Sequence, residues 1–402
     1  MDAPLLVEGA VTSIRPTQRL GLFTLGKLRV CTKTVMDNTD PDISFDEEGV
    51  CNWWHDFQAL RAKQPNPTER AAVLDETLEA IKSSGRGRSY DCILGLSGGV
   101  DSSYLAYMAR RWGLRPLIVH FDNGWNDELA VANIETIVKK LGFRLQTFVM
   151  NWPEFRDLQR AYFKASVIDL DVPTDHMIFG ALYRIAREHD VKYILSGNNF
   201  ATEWLLPRAW HYAKGDAVNL KSIHSQFGRL PMNHLPILTG WRRLYCDKVR
   251  QMQQVQGLDL IDYRNTDAKK FLMQEFGWRD YGGKHYESIF TRFYQGYFLP
   301  RKYGIDKRKA HLSNLIVNGE ITRDHAIAEL RRPTYELERQ EADKRYVAKK
   351  LGWSDTEFED ILALPPVPHE LYGTDAAQQR AVQTVIHYVQ PFAKFGRALL
   401  RV

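Results

Sequence analysis

The 402-residue chain has little cysteine: four residues, at Cys31, Cys51, Cys92 and Cys246. That number and scatter exclude a disulfide framework and fit a reducing compartment. No apolar run approaches the ~20 residues that a membrane-spanning helix requires. The first residues, MDAPLLVEGAVTSIRP, lack the basic-then-apolar pattern of a secretory signal. The expectation is a cytoplasmic protein without membrane insertion. A large charge excess is missing too, since 54 Lys and Arg stand against 49 Asp and Glu, a net +5. That is too little to argue for a nucleic-acid partner. There are no internal repeats and no low-complexity tracts. What is present is ordinary for a globular chain, 44% hydrophobic and 26% charged with ten Trp, which excludes collagen-like and disordered classes. The length suggests two or three domains.

Residues 1–85 read as an irregular N-terminal region rich in Asp, Asn and Gly turn formers. A helix is predicted over Asn66–Ser83, opening at Asn-Pro-Thr-Glu and closing at Gly85. Residues 86–232 alternate short apolar runs with amphipathic stretches. Strands are predicted at Tyr90–Leu96, Leu117–Phe121, Leu145–Met150 and Tyr193–Ser196, with helices at Ser102–Trp112, Asp127–Leu141 and Asp175–Glu188. Four β-α units predict an α/β fold with a doubly wound parallel sheet. Ligands of such sheets sit outside the carboxyl ends of the strands, so the segments after Leu96, Phe121 and Ser196 are the ones to inspect. Residues 233–402 read as a mainly helical substrate or partner domain, with a Pro-rich break at Leu364–His369 and a last helix near Gln378–Val389.

The first strand runs into Ser97-Gly98-Gly99-Val100-Asp101-Ser102-Ser103. Adjacent glycines let the backbone turn sharply and approach a ligand without Cβ clashes. Three hydroxyls and the first N–H groups of the next helix then converge, which favours an anion. Asp101 makes sense beside phosphate when a Mg²⁺ lies between them. Three readings compete: a capped strand-to-helix turn, a nucleophile elbow on the G-x-S-x-G pattern of Gly95–Gly99, and a nucleotide loop. The spacing and Lys of a Walker A loop are missing.

The SGGVDSS segment resembles the pyrophosphate loop of the N-type ATP pyrophosphatases, the PP-loop superfamily of adenine nucleotide alpha hydrolase type. That group includes GMP, asparagine and NAD synthetases and the tRNA thiolation enzymes. Five further segments resemble one branch, the N-acetyl sugar amidotransferases of lipopolysaccharide and nonulosonic acid pathways. They are Phe121-Asp-Asn-Gly-Trp125, Pro173-Thr-Asp-His176, Ser196-Gly-Asn-Asn-Phe-Ala-Thr-Glu203, Tyr281-Gly-Gly-Lys-His-Tyr-Glu-Ser288 and Tyr303-Gly-Ile-Asp-Lys-Arg-Lys-Ala-His-Leu-Ser313. The resemblance spans about Arg29 to Pro333. It implies an ATP-dependent ligase of O-antigen synthesis that turns the N-acetyl group of a nucleotide-activated sugar into an acetamidino group, with ammonia from a glutaminase.

On that resemblance Ser97, Gly98, Gly99, Asp101, Ser102 and Ser103 hold ATP phosphates, while Phe121, Asp122 and Gly197 hold adenine and ribose. Asp101 and Glu203 ligate Mg²⁺. Glu203 reads equally as a helix-start residue favoured by the dipole. Ser97, Asp101, Lys284 and Lys307 form the expected catalytic set. Asn123, His285, Tyr286, Glu287, Arg292 and Arg308 are the expected sugar-nucleotide contacts, although a charge run is also a common solvated face.

One departure concerns zinc. The family has two C-x-x-C pairs that read as a tetrahedral site, whereas this chain has Cys31-Thr-Lys-Thr34 and Cys51-Asn-Trp-Trp54. His55 and Asp37 lie nearby but off the family positions, so no structural zinc is expected. Nor does any cysteine sit in a glutaminase-like motif. The expected partners are therefore the nucleotide sugar and a separate glutaminase, with no nucleic acid. The alternatives are an adenylating tRNA-modifying enzyme, which lacks an evident RNA-binding module here, and a non-catalytic ATP-binding scaffold.

Overall fold

The computed structural model describes residues 28–376. The predicted helix near Gln378–Val389 lies outside the described residues. The N-terminal part carries α1 (Asn52–Arg61) and α2 (Pro67–Ser84). A reciprocal box between Asn66 and Glu69 opens α2, with Pro67 in its first turn and Gly85 after its end. The sheet region follows as β1 (Cys92–Gly95), α3 (Val100–Arg111), β2 (Pro116–Asp122), α4 (Glu128–Leu141) and β3 (Arg144–Val149). It continues with α5 (Trp152–Ala165), α6 (Val172–Glu188), β4 (Tyr193–Ser196), α7 (Phe200–Glu203), α8 (Ala217–Phe227), α9 (Gly240–Leu244), β5 (Gln253–Gln256) and α10 (Asn265–Phe271). The rest is helical: α11 (Ile289–Phe293), α12 (Leu299–Tyr303), α13 (Arg308–Val317), α14 (Arg323–Leu330), α15 (Leu337–Leu351) and α16 (Asp355–Ala363).

All five strands are parallel in the order β3-β2-β1-β4-β5. The fold is the expected doubly wound α/β sheet, and the strand order reverses between β1 and β4. The inner strands alternate between two buried faces, as strand geometry requires. Cys92, Leu94, Ile118 and Leu195 pack with α3 and α4, while Ile93, Leu117, Val119 and Ile194 pack with α6.

Of the two edge strands, β3 forms where a strand is expected and β5 departs from the sequence picture. β3 is largely exposed, and β5, Gln-Gln-Val-Gln, has no apolar alternation to reveal it. The sheet thus continues past residue 232, and the segment after β5 packs on α3 and α4 through Leu258, Tyr263, Leu272, Phe276, Trp278 and Tyr281. A third core surrounds α5, joining Cys31, Met36 and Cys51 of the N-terminal part to Phe290, Phe293, Tyr297, Val347 and Phe358 of the helical part. The N-terminal and C-terminal parts therefore share one core. No helix among the described residues is long and apolar enough to cross a membrane.

Candidate nucleotide site

The loop after β1 sits at the carboxyl end of the sheet, beside the strand-order reversal, where the fold leaves a crevice. Gly98 has φ +86°, and a Cβ there would meet the Ala130 carbonyl at 2.6 Å, so only glycine fits. Ser97 Oγ accepts from Gly99 N at 3.2 Å and lies 3.2 Å from Ser102 Oγ. Ser97 is exposed, whereas Ser103 is fully enclosed and its Oγ has no partner. The loop thus presents Ser97, its glycines and the first turn of α3, whose leading N–H groups have no intrahelical acceptor.

Asp101 is held from three sides. Its Oδ1 accepts from Tyr263 OH and from Asn265 Nδ2 at 2.9 Å, and its Oδ2 accepts from Thr202 Oγ1 at 3.3 Å. Burial and the Asp101 charge push the Tyr263 phenol well above its ordinary value, so it remains a donor. Lys284 comes in from the opposite wall. Its Nζ lies 3.1 Å from Glu203 Oε1, 4.0 Å from Asp101 Oδ2, and donates to Thr202 O and Oγ1 at 3.1 and 3.0 Å. Asp101 and Glu203 therefore converge on one cation position, spanned here by an ammonium. Its donors are oxygens, which suits Mg²⁺ with one or two carboxylates and substrate phosphates. Among the described residues no group of three or more His, Cys, Asp or Glu is placed to hold a metal ion.

The segment before α11 covers the loop. Trp278 Nε1 donates to Gly98 O at 2.8 Å. A Cβ on Gly99 would stand 3.1 Å from Tyr281 OH and 3.5 Å from Glu287 Oε1. Glu287 Oε2 is buried without a partner, and His285 Nδ1 lies 3.8 Å from Glu287 Oε1. Gly197 serves close packing: a Cβ there would stand 3.0 Å from Ser102 N, so β4 can approach the first turn of α3.

Other expected site residues fall elsewhere. Arg292 is buried in a bidentate pair with Asp343 at 2.8 and 3.0 Å and also reaches Asp127 at 2.9 Å. Arg308 pairs with Asp306 and donates to the carbonyls of Glu329, Arg332 and Pro333, tying down the end of α14. Tyr286 is buried and donates to Thr334 O at 3.0 Å. These three, expected as substrate contacts, have their polar groups engaged by other groups of the protein, Arg292 and Tyr286 in the interior and Arg308 nearer the surface. Asn123 is buried and accepts from Trp125 N at 3.0 Å, shaping a turn, as Asp122 does for Gly124 N at 2.9 Å. Phe121 stacks on Phe148 with centroids 5.8 Å apart. Lys307 stands among Asp169, Asp171, Asp175 and Lys214, in a cluster separate from Lys284.

In the N-terminal part, Cys31 and Cys51 are buried together. Cys31 Sγ accepts from Cys51 N at 3.2 Å, and Thr34 Oγ1 stands 3.6 Å from Cys51 Sγ. Asp37 instead pairs with Lys309, and His55 with Asp46 at 2.7 Å.

Sequence reasoning missed Tyr263, Asn265, Thr202, Trp278 and Tyr281. Thr202 lay inside a quoted segment, and Tyr281 opened another. Tyr263 and Asn265 follow an unrecognised edge strand and left no signal.

A loop of this geometry on a doubly wound sheet, with a carboxylate pair beside it, defines a PP-loop ATP-utilising fold. Residues 91–199 match the asparagine synthase family. Residues 287–387 match the family described as LPS biosynthesis protein WbpG-like, C-terminal domain. One chain thus joins an asparagine synthase-like segment to a WbpG-like lipopolysaccharide biosynthesis segment. Among solved structures, it is similar to an NMN synthetase from Francisella tularensis at 14% identity and TM-score 0.28, covering 57% of this chain and 93% of that one. It is also similar to an NH3-dependent NAD synthetase from Campylobacter jejuni at 12% identity and TM-score 0.31, covering 71% and 95%. No curated protein matches the chain.

Proposed function

We propose that this protein is an ATP-dependent amidotransferase that converts the N-acetyl group of a nucleotide-activated sugar to an acetamidino group. The observation that carries the proposal is one chain joining the Ser97–Ser103 loop and its Asp101–Glu203 cation position to a WbpG-like lipopolysaccharide domain. An amide carbonyl is a poor electrophile with no good leaving group. Attack of the amide oxygen on the α-phosphorus forms an O–P bond, breaks the α–β bridge and releases pyrophosphate. Ammonia then adds to the imidate carbon and AMP leaves, giving the amidine with loss of protons to solvent.

The protein's part is positioning and charge neutralisation. Ser97, the glycine backbone and the first turn of α3 receive the phosphates. Asp101 and Glu203 would hold Mg²⁺, which neutralises phosphate charge. Lys284, on the covering segment, supplies a cation that can turn from the carboxylates to the phosphates. All four cysteines are buried, so none is presented as a glutaminase nucleophile, and ammonia arrives from solution or from a separate subunit. In the test, Asp101→Ala abolishes sugar-stimulated pyrophosphate release. Undiminished release in that variant would discredit the loop assignment.

A further inference from the structure

A second polar cluster lies at the N-terminus of α6, where the quoted segment Pro173-Thr-Asp-His176 begins the helix. Because α6 leads back to the start of β4, its N-terminus lies at the carboxyl end of the sheet, the end that carries the phosphate loop. Asp171 precedes the helix without capping it, and its Oδ1 instead accepts from Thr291 Oγ1 at 3.2 Å. Asp169 is fully buried and saturated by Lys214, Tyr212 N and Tyr294 OH. Lys214 also pairs with Asp175 at 3.1 Å, and the Asp175 side chain is 39% exposed, so the cluster opens to solvent there.

Two groups beside it make no side-chain hydrogen bond or ion pair within the described residues. Thr174 is 7% exposed and its Oγ1 has no hydrogen bond. It lies three residues after Asp171, on the same side of the helix start. The Lys307 ammonium stands 5.3 Å over the Tyr294 ring and makes no ion pair or hydrogen bond within the described residues. Buried polar groups are normally satisfied, so the orphan Thr174 hydroxyl implies a polar ligand, and the part-exposed Lys307 ammonium and the half-open Asp175 carboxylate are the charged groups beside it.

The charges select its class. Three carboxylates face two ammonium groups, and burial, then Asp175, pushes Asp171 up to about 6. The cluster is close to neutral, repels a phosphate through its carboxylates and a divalent cation through its lysines. A neutral ring of hydroxyl groups suits mixed acceptors and donors. The distance suits it as well. Glu287 borders Gly99 of the loop, and Thr291, which bonds Asp171, is only four residues further on, at most about 14 Å of chain.

We propose that Thr174, Asp175 and Lys307 form a subsite for the sugar ring of the substrate, apart from the nucleotide-phosphate loop. This rests on the nucleotide-sugar reading above. The experiment is saturation-transfer NMR with a panel of nucleotide-linked N-acetylhexosamines, alongside ATP binding by calorimetry. Wild type should show transfer to sugar-ring protons. Thr174→Val, which removes only the orphan hydroxyl, and Asp175→Asn should lose at least tenfold in sugar-nucleotide affinity while ATP affinity and thermal midpoint stay unchanged. Lys307→Met should follow them. Unchanged affinity in folded Thr174→Val and Asp175→Asn would overturn the subsite and leave the nucleotide-sugar reading standing. Absence of binding by wild type to every member of the panel would overturn both.

Discussion

Replacing Lys284 by methionine should strengthen binding of Mg²⁺ to the nucleotide-free protein. The ammonium lies 3.1 Å from Glu203 and 4.0 Å from Asp101. At an effective dielectric near 20, a unit pair at that shorter distance interacts by about 5 kcal/mol. Desolvation of the ammonium and screening through the open side cancel most of this, leaving about 1–2 kcal/mol, or roughly tenfold in an equilibrium constant. Methionine keeps the stem's volume and removes the charge. The two carboxylates then face each other without a counterion, and an added divalent cation has no internal competitor. Titration with Mn²⁺, followed by the free-ion electron paramagnetic signal, should show about tenfold tighter binding in Lys284→Met. Pyrophosphate release should fall in the same variant, because the phosphates lose the cation that this segment supplies. Cation affinity that is unchanged or weaker, in a variant with unchanged circular dichroism and urea midpoint, would refute the shared-position argument.

Two further outcomes follow from buried polar groups. His369 stacks on Tyr212 at 4.1 Å, donates from Nδ1 to Asn219 Oδ1 and accepts at Nε2 from Asp169 N, a neutral tautomer held at both nitrogens. Burial pulls it down to about 4, so its contribution is full above the unfolded value near 6.5 and is lost as pH falls from there to about 4. The loss amounts to roughly 3 kcal/mol, readable as a drop in urea-unfolding free energy that His369→Gln should flatten. Arg292→Met leaves Asp343 and Asp127 with their main counterion gone, and should cost about 3–5 kcal/mol of stability. A variant of normal stability with a raised KM for the sugar nucleotide would restore Arg292 to the substrate site.

The parts of the molecule legible in sequence are those whose pattern reflects burial on both faces or strict backbone geometry. β1, β2 and β4 are apolar runs because helices cover both sides of the sheet, and the Ser97–Ser103 loop is visible because Gly98 tolerates nothing else. The β5 edge strand was harder. It is three glutamines and a valine, paired on one side only, so no periodicity marks it, and the sheet runs on past residue 232 without a signal. Charge was the least legible feature. Arg292, Arg308 and Lys284 look alike in sequence, yet two are tied to structural partners and one reaches the carboxylates of Glu203 and Asp101. Which partner each finds depends on Asp343, Asp306 and Glu203, brought together only by the fold.

The amidotransferase reading stands or falls on the reaction itself. The purified chain, ATP, Mg²⁺ and ammonium are incubated with nucleotide-linked N-acetylated sugars, and pyrophosphate, AMP and sugar mass are followed together. The expected products are equimolar AMP and pyrophosphate and a sugar about one mass unit lighter as oxygen is exchanged for NH, with no turnover when glutamine replaces ammonium. ADP and phosphate as products, or pyrophosphate release with no change in the sugar, would contradict it.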